Sequence, residues 1–259
     1  MDLPGIVAAV RTQLAHALVA LDFDGTLAPI VPDPADSRPL PGVVDALAAL
    51  AAAGAQVAVV TGRDARTAVQ LGGLDAVPGL IVEGLYGMES WHDGRLETPP
   101  TPAVIETLRA ELPAAIAAGD DALWIEDKRL SLVVHGRLAA EPEAALDPVR
   151  EPVATLAGRL GLEVHSGRGV IELRLPGYDK AGALHRLVSR CSPQVVLYAG
   201  DDRGDLPALL AVRDLRAAGL TAFAVGAGSA EVPEVADAVD VLVDGPAGVL
   251  ELLNLLSTR

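Results

Sequence analysis

Short β-branched apolar runs that stop abruptly at polar residues, each followed by a helical stretch, dominate both ends of this chain and leave few folds open to it. "ALVALDFDG", "QVAVVTGR" and "QVVLYAGDD" are three such runs. Between residues 1 and 90 the pattern reads helix, strand 17–22, loop, helix 41–53, strand 56–60, helix 64–72 and strand 79–83. From residue 178 it reads helix 179–190, strand 195–199, helix 205–218, strand 221–225, helix 231–237, strand 240–243 and helix 246–256. Strands joined by helices rather than by tight turns run parallel and are buried on both faces. The expectation is therefore an α/β fold with a doubly wound, mostly parallel, Rossmann-like sheet, whose ligands lie beyond the carboxyl ends of its strands.

The middle of the chain breaks this rhythm. "TPPTPAVIETLRAELPAAIAAG" opens as a proline-rich hinge and continues as a helix, and "ALWIEDKRLSLVVHGRL" reads as two strands around a turn. "EPEAALDPVREPVATLAGRLG" is helical despite its prolines, and "LEVHSGRGVIELRL" reads as a hairpin turning at "SGRG". Helices laid on one antiparallel sheet form an α+β unit, expected over residues 101–176, inserted into a core made of residues 1–100 and 177–259.

Bulk properties narrow the partners. A chain of 259 residues with 51% hydrophobic content can bury a full core. A formal charge of −15 repels nucleic-acid backbones and anionic lipid, so neither nucleic acid nor membrane is expected as a partner. The N-terminal stretch lacks a basic region, and the longest apolar tract is broken by Asp45, Gly54 and Gln56, which predicts a cytoplasmic protein without a membrane span. It is expected to act as a monomer. The single Cys191 has no internal disulfide partner and reads as a small buried hydrophobe. Trp91 and Trp124 read as packing residues, and His92, His135 and His165, which lack ligand spacing, as loop or sheet residues.

Chemistry concentrates where the parallel strands end. Asp22 and Asp24 follow the first strand, Thr61, Gly62 and Arg63 the second, Lys180 opens the helix after the insert, and Asp201, Asp202 and Asp205 follow "VVLY". Two like charges about 4 Å apart repel by roughly 4 kcal/mol at an effective dielectric near 20. A hard divalent cation removes that cost. Asp22, the main-chain carbonyl of Asp24 and Asp201 supply the oxygen donors that Mg²⁺ favours. Lys180 and Thr61 would then neutralise and hydrogen-bond phosphoryl oxygens, with Asp22 as nucleophile and Asp24 as general acid and base. Residues i and i+2 of a strand share a face, so both carboxylates are expected to reach one phosphate. Taken alone, Asp before Gly is ordinary turn chemistry, and Thr61 or Asp64 an ordinary helix cap.

"DFDGT", "VVTGR", the lysine of "GYDK" and "GDDRGD", in that order, resemble the four motifs of the haloacid dehalogenase-like phosphatases. The position of the insert is similar to that of the cap in the C2 subclass of that superfamily, which implies a core that cleaves phosphate and a cap that reads the alcohol. "LDFDGTLAPIVPDPADS", "EGLYGMESW", "WIEDKRLSLVVHGR" and "VIELRLPGYDK" resemble the trehalose-6-phosphate phosphatases over about residues 19–250. That likeness implies hydrolysis of trehalose 6-phosphate with Mg²⁺. It also implies that Glu126, Lys128, Arg137 and Glu172 bind sugar hydroxyls, with Tyr86 and Gly87 contributing contacts. Asp202, Asp205, Gly62 and Arg63 would support the catalytic groups.

Three departures stand out. Tyr86 replaces a histidine common in the family, "GYDKA" lacks the usual glycine after lysine, and "GDDRGD" replaces GDDxTDE. Two rival readings remain at this level. One is the same chemistry on another sugar phosphate, such as those of sucrose or mannosylglycerate. The other is a non-catalytic receiver-like phosphate-binding module, which needs neither Asp24 nor an insert. Glu126, Lys128 and Arg137, read as alternating strand positions, could instead form a solvent-facing charge ladder.

Overall fold

The computed structural model describes residues 2–167, 169–228 and 232–258. In chain order its principal elements are α1 (Leu3–Thr12), β1 (Ala17–Leu21), α2 (Val43–Ala52), β2 (Gln56–Val60), α3 (Ala65–Gly72), β3 (Ile81–Gly84), β4 (Glu89–His92) and β5 (Arg95–Glu97). Then come α4 (Ala103–Ile116), β6 (Trp124–Asp127), β7 (Ser131–His135), α5 (Pro142–Leu160), β8 (Glu163–Gly167) and β9 (Val170–Arg174). The chain closes with α6 (Lys180–Cys191), β10 (Val195–Gly200), α7 (Leu206–Ala217), β11 (Thr221–Gly228), α8 (Pro233–Ala238), β12 (Val241–Asp244) and α9 (Gly245–Ser257). The expected turn at "SGRG" includes Arg168, and the expected start of the helix at 231 falls on Glu231; both residues lie outside those described, as do Ser229 and Ala230.

Two compact units result, one from the residues up to Thr98 together with Asp179 onward, the other from Pro99–Tyr178. In the first, eight strands are ordered β12-β11-β10-β1-β2-β3-β4-β5. From β12 to β3 every pairing is parallel. The period of two along β1 sends Ala17, Val19 and Leu21 into a core built with α1, α2, α3 and α9. Leu18 and Ala20 enter a second core with α6, α7 and α8. Both faces of β1 are therefore covered, as a parallel sheet requires.

The β4–β5 pair is antiparallel and was not expected from the apolar pattern. Its turn is Asp93-Gly94, with both residues at positive φ (49° and 74°), the geometry of a two-residue hairpin. The "DG" pair was the available signal. Trp91 packs partly buried against the first core, and Cys191 is half-buried against the second rather than fully buried. His92, His135 and His165 all lie on strands.

In the second unit four antiparallel strands are ordered β6-β7-β9-β8. Leu132, Val134, Ile171 and Leu173 pack on α4 and α5 through residues such as Ile105, Leu108, Leu146 and Val153. The alternate residues form the helix-free face. Register places Glu126, Val133, Glu172 and His165 in one row across it, beside a row begun by Trp124 and His135. No helix among the described residues is long and apolar enough to cross a membrane.

Candidate active site

The strand order reverses at the β1–β10 pair: β1, β2 and β3 step one way, and β10, β11 and β12 the other. Such a switch point opens a crevice at the carboxyl ends of the two strands. Asp22 follows β1 and its N–H donates to Ala199 of β10 (2.9 Å), while Asp201 follows β10. After Asp22 the chain turns sharply, with Leu27 and Ala28 N–H both donating to the Phe23 carbonyl (2.9 Å) and Gly25 at φ +81°. A Cβ on Gly25 would sit 2.0 Å from the Asp201 Oδ2, so only glycine lets this turn close on the neighbouring strand end.

Lys180 is the first residue of α6, whose N-terminus is capped by Asp179 accepting from Gly182 N–H (2.7 Å). The buried Lys180 Nζ lies 2.6 Å from Asp22 Oδ1 and 2.8 Å from Asp205 Oδ1. Asp205 is in turn saturated. Its Oδ1 also accepts from the Tyr198 hydroxyl (2.6 Å), and its Oδ2 accepts from the N–H groups of Asp201 (3.2 Å) and Asp202 (3.3 Å). Gly200 makes room for this carboxylate, since a Cβ there would meet Asp205 Cγ at 2.3 Å. The Thr26 hydroxyl donates to Asp201 Oδ1 (3.2 Å).

Charge in this cluster is unbalanced, with four aspartates around one lysine. Burial first, then Asp205, push Asp22 well above the usual carboxylate range, and Lys180 only partly opposes them. Asp201 is pushed up to about 7 by burial and by Asp205 and Asp202. Burial alone would lower Lys180, but Asp205 and Asp22 outweigh it and keep the ammonium charged. One oxygen from each of Asp22, Asp201 and Asp205 lies within 4.8 Å of the others, a spacing that can hold a metal ion. Because Asp205 already accepts four hydrogen bonds, Asp22 and Asp201 are the donors left for a cation, and excess negative charge is what a hard cation relieves.

Asp24 is oriented differently from what strand alternation predicts. Because β1 stops at Leu21 and the chain turns, Asp22 and Asp24 do not share a strand face. Arg63 closes a two-pronged bond on Asp24 (Nε to Oδ2, 2.6 Å; Nη2 to Oδ1, 2.7 Å), and the Ser37 hydroxyl donates to Oδ1 (2.8 Å). Arg63 is itself anchored by the Pro34 carbonyl (Nη1, 2.9 Å) and lies 5.6 Å over the Phe23 ring. Its N–H donates to the hydroxyl of buried Thr61 (3.1 Å), whose own N–H donates to the Glu83 carbonyl at the end of β3 (2.9 Å). The helix that follows is capped by Asp64, not Thr61, through Thr67 N–H (2.8 Å).

Leu85 and Tyr86 both take positive φ (48° and 59°), held by N–H bonds to the carbonyls of Arg63 (2.8 Å) and Thr61 (3.0 Å). Tyr86 thereby lies over Gly62, where a Cβ would be 2.8 Å from its hydroxyl. Gly87, at φ +86°, offers its carbonyl to Arg186 Nη2 (2.9 Å).

In the second unit, Glu126 Oε2 bonds His135 Nε2 (2.9 Å). Glu172 Oε1 accepts from Ser131 (2.8 Å) and lies 3.7 Å from Lys128 Nζ. The His135 bond holds the Glu126 carboxyl below its usual value, with Lys128 and Arg137 also lowering it. Lys128 thus pairs with Glu172, and the charges of Lys128 and Arg137 act on Glu126. The alternating-strand picture is corrected, because β6 ends at Asp127 and β7 at His135, so Lys128 and Arg137 follow strand ends. Trp124, expected to pack, stacks on His135 and yet stays 41% exposed.

Sequence reasoning missed Tyr198, Thr26 and Ser37. A tyrosine within the otherwise aliphatic "VVLYAG" was a usable signal, because a buried hydroxyl needs a partner. Ser37 carried none, since its partner lies across a loop.

A family model described as Trehalose-phosphatase matches residues 20–232. The chain is 32% identical over 253 residues to the trehalose-phosphate phosphatase of Mycobacterium marinum, covering 93% of this chain and 61% of that protein. It is 37% identical over 213 residues to that of Mycobacterium avium, covering 76% and 52%. The chain thus spans between about half and three fifths of these relatives' length. The C-terminal domain of the Candida albicans trehalose-6-phosphate phosphatase superimposes with a TM-score of 0.80 at 21% identity, covering 99% of this chain and 97% of that one, a likeness of fold.

Proposed function

The chain belongs to the trehalose-phosphatase family, and from that premise we propose that it hydrolyses trehalose 6-phosphate to trehalose and phosphate, with Mg²⁺, in the cytoplasm. The observation that carries this reading is the buried Lys180 bridging Asp22 and Asp205, with Asp201 in coordinating range. An ammonium locked between two carboxylates is a poor solubility device and a good phosphoryl site. Asp22, Asp201 and the Asp24 carbonyl would hold the ion, which would neutralise charge on the phosphoryl oxygens.

Asp22 attacks phosphorus, the bond from phosphorus to the sugar oxygen breaks, and Asp24 gives its proton to that oxygen. Asp24 then takes a proton from the water that attacks phosphorus and releases Asp22. Lys180 orients the nucleophile and balances its charge, and Thr61 hydrogen-bonds a phosphoryl oxygen. Asp205, held by Tyr198 and two N–H groups, fixes Lys180. Glu126, Lys128, Arg137 and Glu172 bind sugar hydroxyls.

A phosphate-release screen over a panel of sugar phosphates, with Mg²⁺ and with chelator, tests the reading. Trehalose 6-phosphate should be the best substrate, chelator should stop turnover, and Asp22→Asn should serve as a blank. Preference for another sugar phosphate would overturn the substrate, and full activity of Asp22→Asn the mechanism.

A further inference from the structure

We propose that Trp124 and His135 form an aromatic platform for a pyranose ring of the substrate, which makes Trp124 a specificity-determining residue. The inference rests on the sugar-phosphate reading above and adds to it a site on the helix-free face of the second unit.

Trp124 begins the edge strand β6 and pairs directly with His135 on β7. The rings stack with centroids 4.0 Å apart and planes 7° from parallel. His135 is 8% exposed, and its Nε2 is tied to Glu126. Its other ring nitrogen is buried and has no hydrogen-bond partner among the described residues, so the stack and the Glu126 bond are what fix this ring. Trp124 is thus backed by a rigid imidazole, yet 41% of it faces outward. An exposed indole held flat against a fixed partner supplies a large apolar surface at little conformational cost.

What lies beside that surface selects the ligand. Glu126 is two residues along the same strand face, and Lys128 and Arg137 lie close enough to lower its carboxyl. Glu172 is in the same row as Glu126. A ligand suited to this surface needs an apolar face with hydroxyls around its edge. A pyranose has axial C–H bonds on its faces and hydroxyls on its rim, so the ring covers the indole while carboxylates and cations take the rim. An aliphatic ligand would leave the charged groups unmatched, and a bare phosphate would make no use of the indole.

The chain has two tryptophans, so Trp91→Phe leaves Trp124 as the sole indole reporter. In that background, unphosphorylated trehalose should change the fluorescence saturably, and inorganic phosphate should not. Trp124→Ala should lower kcat/KM for trehalose 6-phosphate by roughly tenfold or more, as loss of a buried aromatic anchor does. Turnover of p-nitrophenyl phosphate, which carries no sugar, should change less than twofold, and Trp124→Phe should recover part of the loss. Equal losses on both substrates, or no loss on the sugar phosphate, would overturn the platform. If the wild type prefers another sugar phosphate and Trp124→Ala loses only that activity, the platform stands and the trehalose assignment falls. No turnover of any sugar phosphate by the wild type would overturn both.

Discussion

At Asp24 the guanidinium of Arg63 occupies both carboxylate oxygens, and Ser37 shares one of them. The general acid proposed at that position has to be held in place yet able to turn toward the leaving oxygen. If Arg63 positions Asp24, its removal matters most where the leaving group needs a proton. Arg63→Ala should therefore slow hydrolysis of alkyl and sugar phosphates at least tenfold more than that of p-nitrophenyl phosphate, whose leaving group departs without protonation; general acid catalysis is worth about 10²–10⁴-fold. Parallel loss on both would assign Arg63 to phosphate binding or to the fold. Asp22 and Asp24 are legible in the sequence as a pair. Their separate partners are not, because the turn at Gly25 and the contact with Ser37 depend on the assembled sheet.

Elements were legible where local chemistry and burial agree. The capping aspartates Asp64 and Asp179 mark helix starts, and β-branched runs such as "QVAVV" mark strands buried on both sides. The β4–β5 hairpin escaped because its strands carry Glu, His and Arg in place of an apolar alternation, so only the Asp93-Gly94 turn announces it. α5 is the opposite case, a helix kept by packing against its own propensity. Pro148 and Pro152 sit inside it, each removing an N–H donor, while Leu146, Val149, Val153 and Leu156 remain buried. Pro152→Ala should stabilise the protein by about 2 kcal/mol, the helix penalty of proline less its stiffening of the unfolded chain. Chemical denaturation checks this; Pro152 is exposed and its ring fills no core space, so a loss of stability would contradict the prediction.

At the scale of the whole chain, two units carry two separate sets of cores. Only the first holds Asp22, Asp201 and Asp205. Scanning calorimetry should resolve two transitions, and Mg²⁺ should raise only one, by about 2.7 kcal/mol of stabilisation at a hundredfold excess over its dissociation constant. The Asp22→Asn variant should lose most of that shift. A shift of both transitions, or of neither, would contradict a cation site confined to the first unit.

The central strand pair of that unit joins the beginning of the chain to its last third, with Ala17 opposite Val195. During synthesis at about 5–20 residues per second, β1 therefore waits on the order of ten seconds or more for its neighbour. The continuous stretch Pro99–Tyr178 is complete before that neighbour emerges. Asp22 and Lys180 meet only after Lys180 and β10 have been made, so a chain stopped after Tyr178 holds the whole of Pro99–Tyr178 without the Asp22–Lys180 pair.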